Sequence, residues 1–133
     1  MLGSSYVVAV IDDDDFIREA LQALLPAFDC TVELYDSAGA FLAAVASTRA
    51  SCLMIDVHLG TESGLELARR LVRAGIDLPV IYMSGSGDGS IRQQAHDAGG
   101  VAFLPKPFLP EVLRRALDAA RRRGPRRPSR KGE

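Results

Sequence analysis

The fold of this chain can be inferred from residues 6–15, which read Tyr-Val-Val-Ala-Val-Ile-Asp-Asp-Asp-Asp. The first six residues are apolar and mostly β-branched, without polar alternation, which is typical of a strand covered on both faces. Such strands belong to parallel sheets that carry helices on both sides. The acidic run would then lie at the carboxyl end of the strand, where open α/β sheets bind their ligands.

The rest of the 133-residue chain continues the alternation of short apolar runs with helical patterns. Further strands are predicted at residues 31–35, 52–55, 79–83 and 101–104. Helices are indicated by apolar stripes that include Phe16, Leu21, Leu24 and Leu25; Phe41, Leu42 and Val45; Leu65, Ala68, Leu71 and Val72; and Leu109, Val112, Leu113, Ala116, Leu117 and Ala120, with a more polar helix ending near Ala98. Parallel strands need crossover connections, so this order predicts an α/β, doubly wound, five-stranded parallel sheet with five helices.

Groups suited to phosphate and metal chemistry follow the strands. Aspartates 12–15 follow the first strand, Asp56 the third, Ser84 the fourth and Lys106 the fifth. The carboxyl ends of parallel strands share one edge of a sheet, so we expect these side chains to converge. Two carboxylates about 4 Å apart repel by roughly 4 kcal/mol at an effective dielectric near 20, which a cation between them would relieve.

The ligand atoms predict which cation fits. Oxygen-only ligands favour Mg²⁺ or Ca²⁺ over zinc, and a site with few carboxylates and room for phosphate oxygens suits Mg²⁺. The metal would hold a phosphate against a nucleophilic carboxylate, while a lysine and a hydroxyl bind its other oxygens.

Four motifs in chain order also resemble a known family. They are Val10-Ile11-Asp12-Asp13; Leu53-Met54-Ile55-Asp56 with Ser63-Gly64; Met83-Ser84-Gly85; and Lys106-Pro107-Phe108. Together they resemble the response-regulator receiver domain of two-component signalling, from about Tyr6 to Ala120. Ser37-Ala38, Gly87-Asp88 and Phe103 look most like receivers of the nitrogen-fixation regulator type. The resemblance implies a flavodoxin-like fold with strand order 2-1-3-4-5.

The resemblance also implies roles for the acidic residues. Asp56 would be the phosphoacceptor and would share a Mg²⁺ ion with Asp13. Asp12 would hold the ion through water, and the backbone carbonyl of His58 would complete the protein ligands. The sequence departs from the family at Gly60, where a proline is usual, and this predicts a more flexible loop after the acceptor.

The remaining implied roles concern the phosphoryl group and the response to it. Ser84 and Lys106 would bind the phosphoryl oxygens, and the bond before Pro107 would be cis. Phe103 would be the aromatic switch that moves inward when Ser84 is drawn to the phosphoryl group. The donor would be a histidine kinase or a histidine phosphotransfer protein. The output would use the face of the fourth helix, fifth strand and fifth helix, for dimerisation or partner binding.

Each of these residues taken alone also has an ordinary interpretation. Asp14 or Asp15 is expected to cap a helix, and a lone Ser84 or Lys106 would be a turn or surface residue. A phosphatase of the haloacid-dehalogenase type is a second hypothesis, since Asp12, Asp14, Ser84 and Lys106 imitate its motifs. That hypothesis leaves Asp56 unused, and no adjacent acidic pair follows Lys106. We therefore expect a signalling module and not an enzyme that turns over an external substrate.

Charge divides the chain into two parts. Residues 121–133 hold seven of the 16 Lys and Arg side chains and one of the 17 acids, which leaves nine bases and 16 acids, a net charge of −7, in residues 1–120. We predict a receiver domain at 1–120 and a basic, disordered tail or linker stub at 121–133. The acidic body argues against nucleic-acid binding by the domain. No helix-turn-helix follows Ala120, so a stand-alone receiver and a fragment of a longer regulator both remain open.

The compartment is predicted from what the sequence lacks. No apolar run approaches the roughly 18 residues of a membrane helix, and the N-terminus does not look like a secretory signal. Cys30 and Cys52 have no CxxC or His neighbour and are expected to be reduced thiols. We expect a cytoplasmic protein with no membrane contact.

Overall fold

A five-stranded parallel sheet forms the centre of the computed structural model, which describes residues 6–86 and 89–125. Its strands are β1 (Tyr6–Ile11), β2 (Cys30–Tyr35), β3 (Cys52–Asp56), β4 (Val80–Ser84) and β5 (Ala102–Pro105). They lie in the order β2-β1-β3-β4-β5, and every neighbouring pair is parallel. The predicted fold class and strand order are confirmed.

The helices connect these strands in the expected alternation. They are α1 (Asp15–Leu24), α2 (Ala38–Ala44), α3 (Gly64–Arg73), α4 (Gly89–Asp97) and α5 (Pro110–Arg123). Hydroxyl or carboxylate side chains of Asp14, Ser37 and Ser63 cap α1, α2 and α3 by accepting backbone N–H groups at 2.9, 2.9 and 3.2 Å. None of the helices in the described ranges is long and apolar enough to cross a membrane.

The two faces of the sheet carry separate hydrophobic cores. On one face, α1 and α5 bury Leu21, Leu113 and Leu117 against the sheet. On the other, α2 and α3 bury Phe41 and Leu67, among others. This two-sided covering explains why the central strands are apolar at every position. Both cysteines are buried and free.

Four residues of the predicted apolar stripes are exposed and do not belong to the core. Phe16, Leu109, Val72 and Val112 have exposed fractions of 75%, 70%, 54% and 37%. Phe16 is the second residue of α1 and Leu109 is the N-cap of α5, so both lie near the carboxyl edge of the sheet. Helical spacing alone predicted burial there, but Phe16 and Leu109 lie at the starts of their helices, where their side chains are exposed.

The last helix ends at Arg123, three residues beyond the boundary at residue 120 that composition indicated. Arg121 donates to the carbonyl of Phe28 at 2.8 Å, and its guanidinium carbon lies 4.7 Å from the centre of the Tyr6 ring. Arg123 pairs with Asp77 at 2.6 Å. These contacts hold the first basic residues against the body of the domain. The rest of the tail predicted at 121–133, residues 126–133, lies outside the described residues.

The carboxylate of Glu33 connects β2 to the loop that enters β3. The hydroxyls of Thr48 and Tyr35 donate to Glu33 Oε1 at 2.6 and 2.9 Å, and the N–H of Arg49 donates to Oε2 at 3.2 Å. Partial burial opposes the charged form, but the three hydrogen bonds outweigh it and hold the pKa of Glu33 below its ordinary value of 4.5.

A lowered pKa in the folded state means that Glu33 contributes stability above its ordinary pKa and that this contribution is lost as the pH falls through the folded value. Glu33→Gln should therefore lower the urea midpoint at pH 7, and its difference from wild type should shrink in acid. Glu19→Gln, at an exposed position of α1, is the control. A difference that stays constant with pH would contradict this role.

Candidate functional site

Lys106 joins the ends of three strands at the carboxyl edge of the sheet. Its Nζ donates to Asp12 Oδ2 at 2.9 Å and to Asp56 Oδ2 at 2.9 Å. The lysine side chain is 13% exposed, and the two carboxylates are more deeply buried. Residues that are 94 and 50 positions apart in sequence therefore form one charged cluster.

Hydrogen bonds hold Asp12 on several sides. Its N–H donates to the carbonyl of Tyr35 at 3.1 Å, and its Oδ1 accepts the N–H of Asp14 at 2.9 Å. Asp12 is fully buried. Burial raises its pKa; hydrogen bonds from Lys106 and Asp14 oppose this shift, and repulsion from Asp56 adds to it. Negative charge at this position is thus only partly balanced by protein groups.

Asp56 is held from two directions at the end of β3. Its Oδ1 accepts the N–H of His58 at 3.0 Å, while Oδ2 accepts from Lys106. The start of α3 lies close to the end of β3, because the N–H of Gly64 donates to the carbonyl of Val57 at 2.8 Å. The orientation of the Asp56 carboxylate is therefore fixed by two hydrogen bonds.

Asp13 supplies the third carboxylate and faces solvent. One carboxylate oxygen from each of Asp12, Asp13 and Asp56 lies within 4.8 Å of the others. This ligand set contains only oxygen, and the exposed Asp13 leaves room for water or a phosphate oxygen, which fits Mg²⁺. Lys106 does not balance all three charges, so a cation would relieve the remaining repulsion.

His58 lies in a feature that the sequence did not predict. Residues His58–Leu59 pair with Glu62–Ser63 as a short antiparallel hairpin, and Gly60 at its turn has a φ of 62°. This left-handed conformation suits glycine, which stands here instead of the usual proline. The N–H of His58 contacts Asp56, while its imidazole is exposed.

Electrostatic balance keeps Lys106 charged. Burial alone would lower its pKa, but hydrogen bonds to Asp12 and Asp56 outweigh burial, and the pKa is raised. The peptide bond between Lys106 and Pro107 is cis. The N–H of Lys106 donates to the carbonyl of Ser84 at 2.8 Å, which ties the ends of β4 and β5 together.

Ser84, at the end of β4, and Phe103, on β5, make side-chain contacts outside this cluster. Ser84 is fully buried, and its Oγ accepts the N–H of Ser86 at 3.0 Å. Phe103 is half-buried on β5, with the guanidinium carbon of Arg92 at 4.9 Å from its ring centre. Phe103 and Arg92 line a cavity of about 310 Å³ between α4 and β5. Gly87 and Asp88, quoted for the resemblance, lie outside the described residues.

Sequence reasoning missed Arg18. Its Nη1 donates to the carbonyl of Asp12 at 2.6 Å, and its other nitrogen pairs with Asp15. An arginine in the first turns of a helix carries no signal of such a contact, because arginine is common on exposed helix faces. The predicted capping role is confirmed for Asp14, which accepts the N–H of Phe16 at 2.9 Å.

Comparison with known proteins agrees with this geometry. The family model of the response regulator receiver domain matches residues 8–118. The chain is a response regulator receiver domain. It is 37% identical over 123 residues to the response regulator protein TodT of Pseudomonas putida, covering 92% of this chain and 54% of TodT.

The nitrogen-fixation regulators are also similar to this receiver domain. FixJ of Azorhizobium caulinodans is 39% identical over 116 residues, covering 87% of this chain and 55% of FixJ. The crystal structure of full-length FixJ from B. japonicum superposes with a TM-score of 0.82 at 33% identity, covering 91% of this chain and 60% of that one. The receiver domain thus spans about half the length of the curated relatives it matches.

Proposed function

We propose that this domain accepts a phosphoryl group on Asp56 in a Mg²⁺-dependent reaction. The observation that carries the proposal is the pair of contacts on the Asp56 carboxylate, from the N–H of His58 and the ammonium of Lys106. The carboxylate is held and charge-compensated at the carboxyl end of a strand, in the position of a preorganised nucleophile. Asp14 caps α1 by accepting the N–H of Phe16, which argues against its use as the second aspartate of a phosphatase-type site.

The surrounding residues would each take one part of the reaction. Asp12, Asp13 and Asp56, with the backbone carbonyl of His58, would hold Mg²⁺. When bound, Mg²⁺ supplies positive charge to the phosphoryl oxygens. Lys106 lies within reach of the same carboxylate and would pair with another phosphoryl oxygen. Ser84 Oγ would exchange its contact with Ser86 for the phosphoryl group.

The donor would be a phosphohistidine on a histidine kinase or a histidine phosphotransfer protein. The nitrogen–phosphorus bond of the donor breaks as the Asp56 carboxylate takes the phosphoryl group. Later hydrolysis of the aspartyl phosphate resets the domain. The protein therefore acts as a signalling element of a phosphorelay and not as a turnover enzyme.

The response would pass through Phe103 to the face of α4, β5 and α5. Inward movement of Phe103 would end its contact with Arg92 and change the lining of the cavity between α4 and β5. That face would then dimerise or bind a protein partner. The net charge of −7 on residues 1–120 argues against nucleic acid as the partner of this domain. We place the end of the receiver unit at Arg123, where α5 ends, and not at the predicted residue 120.

The test is phosphorylation by acetyl phosphate with Mg²⁺, followed by intact mass, beside Asp56→Asn. Wild type should gain one phosphoryl group that is stable in acid and labile in base, and that requires Mg²⁺; the variant should gain none. An adduct that persists in Asp56→Asn would refute the assignment. If the phosphoryl group is hydrolysed too fast to be detected, beryllofluoride should still shift the NMR signals of Ser84 and Phe103. The absence of both a phosphoryl adduct and these shifts would refute phosphorylation of this site.

Phe16 and Leu109 offer a test of the protein donor. Both are exposed and follow the loops that carry Asp12 and Lys106. Exposed apolar side chains beside a site are typical contacts for a partner protein. Phe16→Ser should slow transfer from a phosphohistidine protein about tenfold, the effect of losing one contact of roughly 1.4 kcal/mol.

The same substitution should leave the rate with acetyl phosphate unchanged, because the small donor needs no docking surface. The matched control is Val72→Ser, which removes an exposed apolar residue of α3. Equal slowing with both donors, or equal slowing by Phe16→Ser and Val72→Ser, would contradict a docking role for Phe16.

A further inference from the structure

We propose that Arg18 is a positioning residue for the cation site, which directs the carboxylate of Asp13 by fixing the peptide group between Asp12 and Asp13. The inference rests on the proposed function, since the cation concerned is the Mg²⁺ ion of that site. It concerns a residue in α1 that contacts no carboxylate of the cluster, only the backbone of one of its members.

The contact is short and sheltered. Arg18 Nη1 donates to the carbonyl oxygen of Asp12 at 2.6 Å, and the arginine side chain is 17% exposed. The guanidinium is a planar fork whose second nitrogen pairs with Asp15. Two anchors on one rigid group restrain its position better than a single bond would.

The carbonyl of Asp12 matters because of peptide planarity. This carbonyl and the N–H of Asp13 belong to one planar group, so the donor that orients the carbonyl also orients the bond to the Asp13 Cα atom. The N–H and both carboxylate oxygens of Asp12 already have partners in Tyr35, Asp14 and Lys106. Arg18 satisfies the one remaining polar group of Asp12.

Asp13 has no comparable support of its own. Across residues 6–86 and 89–125, no hydrogen bond or ion pair holds its carboxylate, and the residue is exposed. Its direction toward Asp12 and Asp56 therefore depends on the backbone. A restraint on that backbone lowers the entropy that the site loses when a cation binds.

The charge of Arg18 acts in the opposite sense, because a nearby cation disfavours a bound metal ion. The pairing with Asp15 offsets that charge, and salt weakens the remainder. The positioning effect and the charge effect thus predict opposite signs for removal of Arg18, so one titration separates them.

The experiment measures the dissociation constant of Mg²⁺ by calorimetry for wild type, Arg18→Met and Arg18→Lys, at a salt concentration that screens exposed charges. Arg18→Met should bind Mg²⁺ about tenfold more weakly, the usual cost of losing a group that orients a metal ligand. Arg18→Lys keeps the charge but offers one nitrogen for two partners, and its affinity should lie between the other two. Unchanged or tighter binding by Arg18→Met would overturn the inference.

A second readout needs no metal. Residual dipolar couplings of the Asp13 N–H bond should change in metal-free Arg18→Met, while those of the central strands stay the same and show that the fold is intact. Asp15→Asn keeps the bond to Asp12 and should preserve the Asp13 coupling. If the wild-type protein binds no Mg²⁺, the proposed function is wrong. If Arg18→Met has the same Mg²⁺ affinity and the same Asp13 coupling as wild type, only the proposed role of Arg18 is wrong.

Discussion

Gly64→Ala is expected to destabilise the receiver domain by about 3 kcal/mol, at the upper end of the usual cost of overpacking. A Cβ atom at position 64 would lie 2.1 Å from the carbonyl oxygen of Asp56 and 2.6 Å from Ile55 Cγ2. The first of these atoms is backbone in the central strand β3 and cannot rotate away. The start of α3 would have to move away from Asp56. We expect this displacement also to slow phosphorylation of Asp56.

Urea unfolding measures the loss of stability, and the rate of reaction with acetyl phosphate measures the slower phosphorylation. The matched control is Gly39→Ala in α2, where a Cβ would meet only Ser37 Oγ, at an ordinary 3.9 Å. Alanine at this exposed helical position should stabilise the domain by about 0.5–1 kcal/mol. If both variants unfolded at the wild-type midpoint, close approach would not be the reason for glycine at 64.

The sequence predicted the fold well because its decisive signal is local. A continuously apolar run such as 6–11 has few other stable arrangements than a strand buried on both faces, and five such runs between helical patterns leave little choice of topology. The strand order itself came from the resemblance to receivers and not from periodicity.

The convergence of Asp12, Asp56 and Lys106 was predictable for a geometric reason. Parallel strands place their carboxyl ends on one edge, so the residue after each strand has a known position without any knowledge of the side chains. The contacts of Ser84 depend on the rotamer of its side chain, which could not be predicted from the sequence. Its Oγ accepts from Ser86 within its own loop.

Features that depend on long side chains or on distant residues could not be predicted. Arg121 contacts the carbonyl of Phe28 across 93 positions of sequence, and Arg123 contacts Asp77 across 46. A run of arginines has the composition of a solvated tail, whatever partners it meets. The contact of Arg18 with Asp12 and the exposure of Phe16 belong to the same class.

Lys106→Met is expected to destabilise the metal-free domain by about 3 kcal/mol, because removal of one partner leaves buried charge without compensation. Among the described residues, Lys106 is the one cation that contacts the carboxylates of Asp12 and Asp56, which are 0% and 6% exposed. Methionine keeps much of the length and volume of the side chain. The lost stability therefore reports charge and hydrogen bonding and not a cavity.

Urea unfolding in EDTA measures this loss, and Arg115→Met is the control. Arg115 is 75% exposed on α5, and its ion pair with Glu111 spans 3.6 Å, so its removal should cost well under 1 kcal/mol. Equal midpoints for wild type and Lys106→Met would show that Asp12 and Asp56 do not need a cation in the folded state.

Addition of Mg²⁺ then separates the two roles of Lys106. A divalent cation among the carboxylates would replace the missing positive charge, so Mg²⁺ should raise the unfolding midpoint of Lys106→Met more than that of wild type. Phosphorylation by acetyl phosphate should remain impaired in the same variant, because the ammonium that would pair with a phosphoryl oxygen is absent. Restored stability without restored phosphorylation would place Lys106 in the chemistry as well as in the fold. An equal response of both proteins to Mg²⁺ would mean that the ion binds away from this cluster.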